Sequence, residues 1–363
     1  MVEVLQTGQV GAYGDFDRRA LSENPKRAAL SDLPVIDLSP FMRESALEDR
    51  IRIGRAIRSA CIDIGFFYVT GHGFTLAELN AVLAQGRKFF ALPVAEKMKV
   101  LSQNIDTPGF VRTGGIDPEK NRDKIVDIKE RFSLTRELRP GEQVRFDSRV
   151  GRTQWPARKT LPAFEHTLKG YVARLESVAA ALNHAFALSL NLPEDFFDPL
   201  YGRPDITLTF NFYPSVDPAT LKATQWSSSP HSDYSAFTVL LQDSSGGLQA
   251  RNSAGEWIEV TPKDGTFVVN VGNLLERWTN DLYKSTLHRA LHVGNEPRIS
   301  AALFAYPDAN TVVRCIPTCR GPDNPRRYEE VTTVEYVRVL REDAQRAGRP
   351  SVAAATAERL KNN

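Results

Sequence analysis

The chain is poor in cysteine: Cys61, Cys315 and Cys319 are its only three among 363 residues. An odd, sparse count does not build a disulfide framework, and it suits a reducing cytoplasm. Cys315 and Cys319 stand four apart with no matching pair elsewhere, too little for a zinc site. Long apolar runs are missing too, so no stretch is predicted to cross a bilayer. The opening Met1 to Gly8 lacks the basic-then-apolar pattern of a secretory signal. Neither sign of charge dominates: 46 Lys and Arg face 44 Asp and Glu, which argues against nucleic acid or an anionic membrane as partners. There is no internal repeat and no low-complexity tract. What remains is the composition of a soluble globular protein, long enough for one large domain or two ordinary ones. Oligomeric state is not legible.

Local patterning divides the chain. Residues 1–32 are polar and without a sustained period, and read as a loose N-terminal arm. In 33–156, Leu33–Leu38 reads as a short edge strand, with Pro34 at its start where a missing donor is tolerated. Ala46–Cys61 has helical spacing, Gly65–Val69 reads as a strand, and Leu76–Phe90 as a helix stopped near Pro93. Ser102–Pro156 is rich in glycine, proline and charge, and reads as loops with short strands. In 157–200 a long helix is expected over 162–190, with Leu168, Val172, Leu175, Ala179, Leu182 and Phe186 along one side, a spine for a sheet. In 201–318 the texture becomes strands and turns: Ile206–Tyr213, Phe237–Gln242, Trp257–Val260, Thr266–Val271, Leu287–Val293, Ile299–Tyr306 and Val312–Ile316. Strands in succession with few helices between them predict an antiparallel sandwich or barrel. In 319–363 a helix returns over 332–346, followed by a tail. The fold class is thus mainly β with flanking helices.

His231-Ser232-Asp233, with His288 downstream, supplies two imidazoles and a carboxylate, the ligand set of the facial triad that holds non-haem Fe(II) and leaves three positions open. Residues two apart on a strand share a face, so His231 and Asp233 at the start of the Phe237 strand would project together. A third ligand would then come from a neighbouring strand, where His288 and His292 compete on one face. A His-x-Asp pair alone is a weak signal. His72, in a turn, and His166 and His184, on the long helix without an acidic or histidine partner in register, take structural readings. Arg298 and Ser300 share a strand face and offer a planar fork beside a hydroxyl, an anchor for the far end of a dicarboxylic acid. Asn211 and Tyr213 form another same-face pair. Phe304 and Tyr306 face a substrate or pack in the core, the former being the better pocket candidate. Gly71-His72-Gly73 and Gly246-Gly247 lack nucleotide-loop spacing and read as turns.

The run from His231 through Gln249 resembles the signature of the isopenicillin N synthase-like family of Fe(II)/2-oxoglutarate-dependent dioxygenases. The resemblance extends to Asn270-Val-Gly-Asn273, Ser285-Thr-Leu-His-Arg289 and Arg298-Ile-Ser300 with Phe304. Upstream it takes in Leu33–Asp37, Gly65–Gly73, Asp127–Phe132 and Trp155-Pro156, so it covers about residues 33 to 340. It implies a double-stranded β-helix (jelly-roll) core, His231, Asp233 and His288 as iron ligands, and Arg298 and Ser300 on the distal carboxylate of 2-oxoglutarate. Tyr213 would approach the metal-bound end of that co-substrate, and Asn211 matches the asparagine of the family's Asn-x-Tyr element. The implied reaction is oxidation, chiefly hydroxylation, of a C–H bond in a small organic molecule, consuming O2 and releasing succinate and carbon dioxide, with ascorbate an optional addition. Desaturation and ring closure are variants. A 2-oxoglutarate-independent oxidase of the same fold and a non-catalytic binder of metal or a small acid are the rivals. Thr209, where many plant members carry a basic residue, and Ser235, where glycine is usual, depart from the pattern and bear on pocket shape. The substrate pocket is expected to draw on Ser102–Gly115 and Thr332–Arg346.

Overall fold

The computed structural model describes residues 33–103, 107–113, 126–145, 148–216, 225–291 and 295–346. The expected N-terminal arm and His292 lie outside them. No helix among the described residues is long and apolar enough to cross a membrane.

The long strand Arg298–Tyr306 shows why the chain folds as it does. Ile299, Ala301, Leu303 and Ala305 alternate with Arg298, Ser300, Ala302 and Phe304, and the first set is fully buried against the helices. Its neighbour Asp205–Tyr213 repeats the alternation, with Ile206, Leu208 and Phe210 outward and Thr207, Thr209, Asn211 and Tyr213 inward. Each strand therefore has one apolar face for a helical layer and one mixed face for an interior. The two pair in continuous antiparallel register, Arg298 opposite Tyr213 and Ser300 opposite Asn211.

These strands lie in an eight-stranded sheet with the order Val35–Asp37, Phe66–Thr70, Phe267–Val271, Phe237–Gln242, Arg298–Tyr306, Asp205–Tyr213, Glu130–Thr135, Phe110–Val111. Val35–Asp37 is an edge strand, as its proline-led sequence predicted, and is paired in parallel with Phe66–Thr70. A four-stranded sheet, Trp257–Glu259, Leu248–Arg251, His288–Ala290, Ser228–His231, supplies the opposite wall. The outer face of the larger sheet is covered by helices Leu76–Phe90 and Phe164–Ser189, and Leu47–Asp63 packs on the latter. The predicted spine helix buries Leu168, Val172, Leu175, Ala179, Leu182 and Phe186 as its spacing requires. The fold is mainly β with flanking helices, the jelly-roll arrangement expected.

Two details differ from the sequence reading. Among the described residues the strand expected over 287–293 runs His288–Ala290, with 292 and 293 outside them, and the one over 312–316 only Val312–Val313. Asn273–Trp278 is a short helix, too brief to show a period. His184 has no acidic partner on its own helix; Asp198, in the turn that follows the helix, lies 2.9 Å from its Nε2. His72 keeps its structural role, buried with Nε2 2.9 Å from the Gly265 carbonyl.

Candidate active site

His231 is the last residue of Ser228–His231, and His288 the first of His288–Ala290; the two are direct partners across the antiparallel ladder. Their rings stand 4.3 Å apart between centroids. This corrects the placement of His231 at the head of the Phe237 strand. His231 closes a strand of the smaller sheet, and Ser232–Ala236 carries the chain across the corner into the larger one. Asp233 sits in that crossing, anchored where Asn273 N–H donates to its carbonyl at 2.8 Å. The fit is tight at Gly272, where a Cβ would stand 2.0 Å from the Ser235 carbonyl oxygen. Ser235, the departure noted above, is fully buried with its hydroxyl 3.3 Å from that of Thr238.

The donor atoms of His231, Asp233 and His288 all lie within 4.8 Å of one another, the one such cluster of three or more among the described residues. Asp233 Oδ1 is 3.7 Å from His288 Nε2 and 4.0 Å from His231 Nε2. The partners behind them orient all three. His231 Nδ1 lies 2.7 Å from the Ser229 carbonyl and His288 Nδ1 3.1 Å from the Thr286 carbonyl. A carbonyl only accepts, so each Nδ1 carries the proton and each Nε2 presents its lone pair inward. Asp233 Oδ2 accepts from Thr238 Oγ1 at 2.6 Å and Asn270 Nδ2 at 2.7 Å, leaving Oδ1 to face the imidazoles.

The electrostatics match this donor set. Burial, then the facing His288, lowers the pKa of His231 to about 4 against the pull of Asp233. Burial acts to raise that of Asp233, but the two imidazoles and the Asn270 and Thr238 hydrogen bonds prevail and hold it down. A neutral imidazole facing a carboxylate is the protonation state that binds a divalent metal. Two nitrogens and one oxygen, confined to one side, suit Fe(II) with open positions.

These groups border a cavity of about 260 Å³ between the sheets. Arg298, Ser300, Tyr213, Asn211 and Phe304, all singled out in the sequence, line it. Arg298 is buried, yet its Nε and Nη1 have no hydrogen-bond partner, and Nη2 reaches Gln242 Oε1 only at 3.4 Å. Its guanidinium lies 4.8 Å from the centre of the Tyr213 ring. Tyr213 therefore stands at the Arg298 end of the cavity, whereas the resemblance implied an approach to the metal-bound end. A buried cation with two unmet donors is costly unless an anion completes it, and the fork geometry suits a carboxylate. Tyr306, read in sequence mainly as core, also borders the cavity. So do Ser102, Thr107, Gly109, Val111 and Arg341, from the two segments expected to supply the pocket.

Neither Thr238 nor Asn270 has a role legible in the sequence; both are fixed by their bonds to Asp233. Arg131, within the Asp127–Phe132 stretch of the resemblance but given no role there, lines the cavity from Glu130–Thr135. Period-two alternation would have put Arg131 and Ser133 on one face.

Residues 33–158 match the N-terminal region described for the non-haem dioxygenase in morphine synthesis, and residues 205–307 match the 2OG-Fe(II) oxygenase superfamily. The 2-oxoglutarate-Fe(II) type oxidoreductase ppzC of Metarhizium majus is 32% identical over 351 residues, covering 92% of this chain and 93% of its own. The chain belongs to the 2OG-Fe(II) oxygenases. Homoarginine-6-hydroxylase 2-ODD-233 of Oryza sativa subsp. japonica is 30% identical to this oxygenase, over 84% of the chain and 95% of the relative. Among solved structures, full-length Neurospora crassa T7H in complex with alpha-KG and thymine superimposes with a TM-score of 0.77 at 29% identity, covering 88% of this chain and 100% of that one. The protein is thus a non-haem, Fe(II)- and 2-oxoglutarate-dependent oxygenase whose relatives act on small molecules.

Proposed function

We propose that His231 Nε2, Asp233 Oδ1 and His288 Nε2 hold Fe(II) from one side, and that Arg298 and Ser300 receive the distal carboxylate of 2-oxoglutarate. Tyr213 packs against the Arg298 guanidinium and keeps it aimed, and Asn211, opposite Ser300, flanks the same end. Phe304, six residues along the strand from Arg298 and opposite Thr238, borders the metal side and faces the substrate. When bound, iron and 2-oxoglutarate supply the activation of dioxygen that oxidises a C–H bond, with succinate and carbon dioxide released. The chain's part is to orient, to keep a coordination face open and to exclude water. Thr238 and Asn270 hold the Asp233 carboxylate ionised and still. The Ser229 and Thr286 carbonyls fix the imidazole tautomers.

The observation that carries this reading is the pairing of two features in one cavity: three inward donor atoms, and a buried guanidinium with two unmet N–H groups. The proposed reaction is hydroxylation, which the name of the rice relative supports. The substrate is a free small molecule rather than a nucleic acid or a membrane component, in keeping with the near-balanced charge. The three cysteines are buried and free, which supports a reducing compartment such as the cytoplasm. The test is succinate formation and oxygen uptake by the Fe(II)-loaded protein across a panel of small molecules, with and without 2-oxoglutarate. Oxidation that proceeds equally without 2-oxoglutarate would overturn the assignment of Arg298.

A further inference from the structure

The cavity holds more cationic side chains than the co-substrate requires. Lys129 is already committed: its Nζ lies 3.1 Å from Asp127 Oδ2 and donates to Ser228 Oγ at 2.6 Å. Arg289 is held by Nε, which donates to Gln249 Oε1 at 2.8 Å, and by stacking 4.0 Å from the Trp257 ring, with only Nη1 left buried and unpartnered. Arg298 is assigned to 2-oxoglutarate.

Arg131 is different. It lines the cavity and, among the described residues, its guanidinium has neither a hydrogen bond nor an ion pair. It is mostly screened from solvent, and burial pulls its pKa down against the opposing fields of Asp127 and Tyr213. A guanidinium ordinarily finds an acceptor, and one held in a cavity wall without one is a binding feature in want of an anion.

The sheet places it beside the co-substrate anchor and not on it. Arg131 is opposite Asn211, and Asn211 is opposite Ser300. Two interstrand steps put the Arg131 and Ser300 backbones roughly 10 Å apart. Next on the same face as Arg131 is Ser133, whose hydroxyl is 2.9 Å from that of Thr209. The wall on this side is thus one uncommitted fork flanked by small hydroxyls and the Asn211 amide. Apolar Val111 is the partner of Arg131 on the neighbouring strand, and Phe66, Leu248 and Phe304 line the same cavity. Lys129 and Asp127 cancel, and Arg131 offers one planar fork, which suits a carboxylate. A volume of about 260 Å³ lies just below the range of about 300–1,000 Å³ usual for ligand sites and must also hold 2-oxoglutarate, so the molecule is small.

We propose that the oxidised substrate is a small organic monocarboxylate, anchored through its carboxylate by Arg131 with its apolar body turned toward Phe304 and the metal side. The proposal rests on the assignment of Arg298 to 2-oxoglutarate, and the experiment separates the two.

Protein loaded with Zn(II) in place of Fe(II) and saturated with 2-oxoglutarate is titrated calorimetrically with benzoate, phenylacetate and cyclohexanecarboxylate, and with the corresponding amides. At least one acid is expected to bind about tenfold or more tightly than its amide. Arg131→Gln should abolish that preference while leaving 2-oxoglutarate affinity within about twofold. Arg131→Lys, which keeps the charge, should retain part of the preference, and both variants should melt near the parent. No acid better than its amide, a preference that survives Arg131→Gln, or weakened 2-oxoglutarate binding in Arg131→Gln would each overturn the proposal. Unchanged 2-oxoglutarate affinity in Arg298→Met would instead sink the co-substrate assignment, whatever Arg131 does.

Discussion

Thr238 donates its hydroxyl proton to Oδ2 of Asp233 at 2.6 Å, joining a strand of the larger sheet to the turn that follows the smaller one. Asn270 donates to the same oxygen from the adjacent strand at 2.7 Å. The carboxylate is thus presented by one oxygen only, with its orientation set by two strands that contribute no metal ligand. Thr238→Val and Asn270→Ala should each lower iron affinity by about 10–100-fold with the fold intact. Metal titration followed by atomic absorption checks this, and native affinity in both variants would show that the bonds orient nothing of consequence.

Asp233 supplies the only anionic group of the cluster. Asp233→Ala should abolish 2-oxoglutarate turnover and strip the protein of iron during purification. A variant that keeps native metal content and activity would mean that another carboxylate does the binding.

Arg298 should be tested by removing the charge and keeping the bulk. In Arg298→Met the distal carboxylate loses a buried, charge-assisted partner, so 2-oxoglutarate binding should weaken by about 2–5 kcal/mol. The effect should appear in the co-substrate KM and in its direct titration, with iron affinity little changed.

The alternation Arg298-Ile-Ser-Ala-Ala-Leu-Phe was legible because period two is a local property of one strand, and both of its faces stand where the pattern put them. The spine helix was legible for the same reason at its own period. The corner between His231 and Phe237 was not. Whether a chain continues along one sheet or crosses to the facing one depends on partners far away in sequence, here His288 and Ala305. Arg131 was hidden differently: its strand lies in a segment of glycine, proline and charge, and its pairing with Asp205–Tyr213 spans a long loop closure. Thr238 looked like an ordinary strand residue until its partner's location was known.

Acid should destabilise the metal-free protein through His231. Burial and the facing His288 hold its pKa at about 4, below the ordinary value near 6.5. The unfolded chain therefore takes up a proton near 6.5 while the folded one resists until about 4. The stability concerned is fully present above about pH 6.5 and is lost as pH falls toward 4, by up to about 3 kcal/mol. Urea unfolding of the apoprotein at pH 7 and pH 5 should show this drop, and His231→Gln should flatten it. An equal drop in the variant would place the titrating group elsewhere.

Gly86 couples the helical layer to the co-substrate end of the cavity. It sits in Leu76–Phe90 against the larger sheet, and a Cβ there would meet Ile299 Cδ1 at 2.6 Å and the Phe210 ring at 2.7 Å. Alanine would gain up to about 1 kcal/mol of helix propensity, but overpacking costs about 1–3 kcal/mol. Ile299 can yield by rotating its terminal methyl, whereas the Phe210 ring can move only with its strand. The second contact decides the sign, and Gly86→Ala should destabilise by about 1–2 kcal/mol in urea unfolding. Ile299 lies between Arg298 and Ser300, and Phe210 precedes Asn211 by one residue, so a shift of either strand displaces the residues assigned to 2-oxoglutarate. The variant should therefore raise the KM for 2-oxoglutarate while leaving iron affinity unchanged, since His231 and His288 stand on the other sheet. Destabilisation without a change in that KM would show that the helical layer and the co-substrate site are mechanically independent.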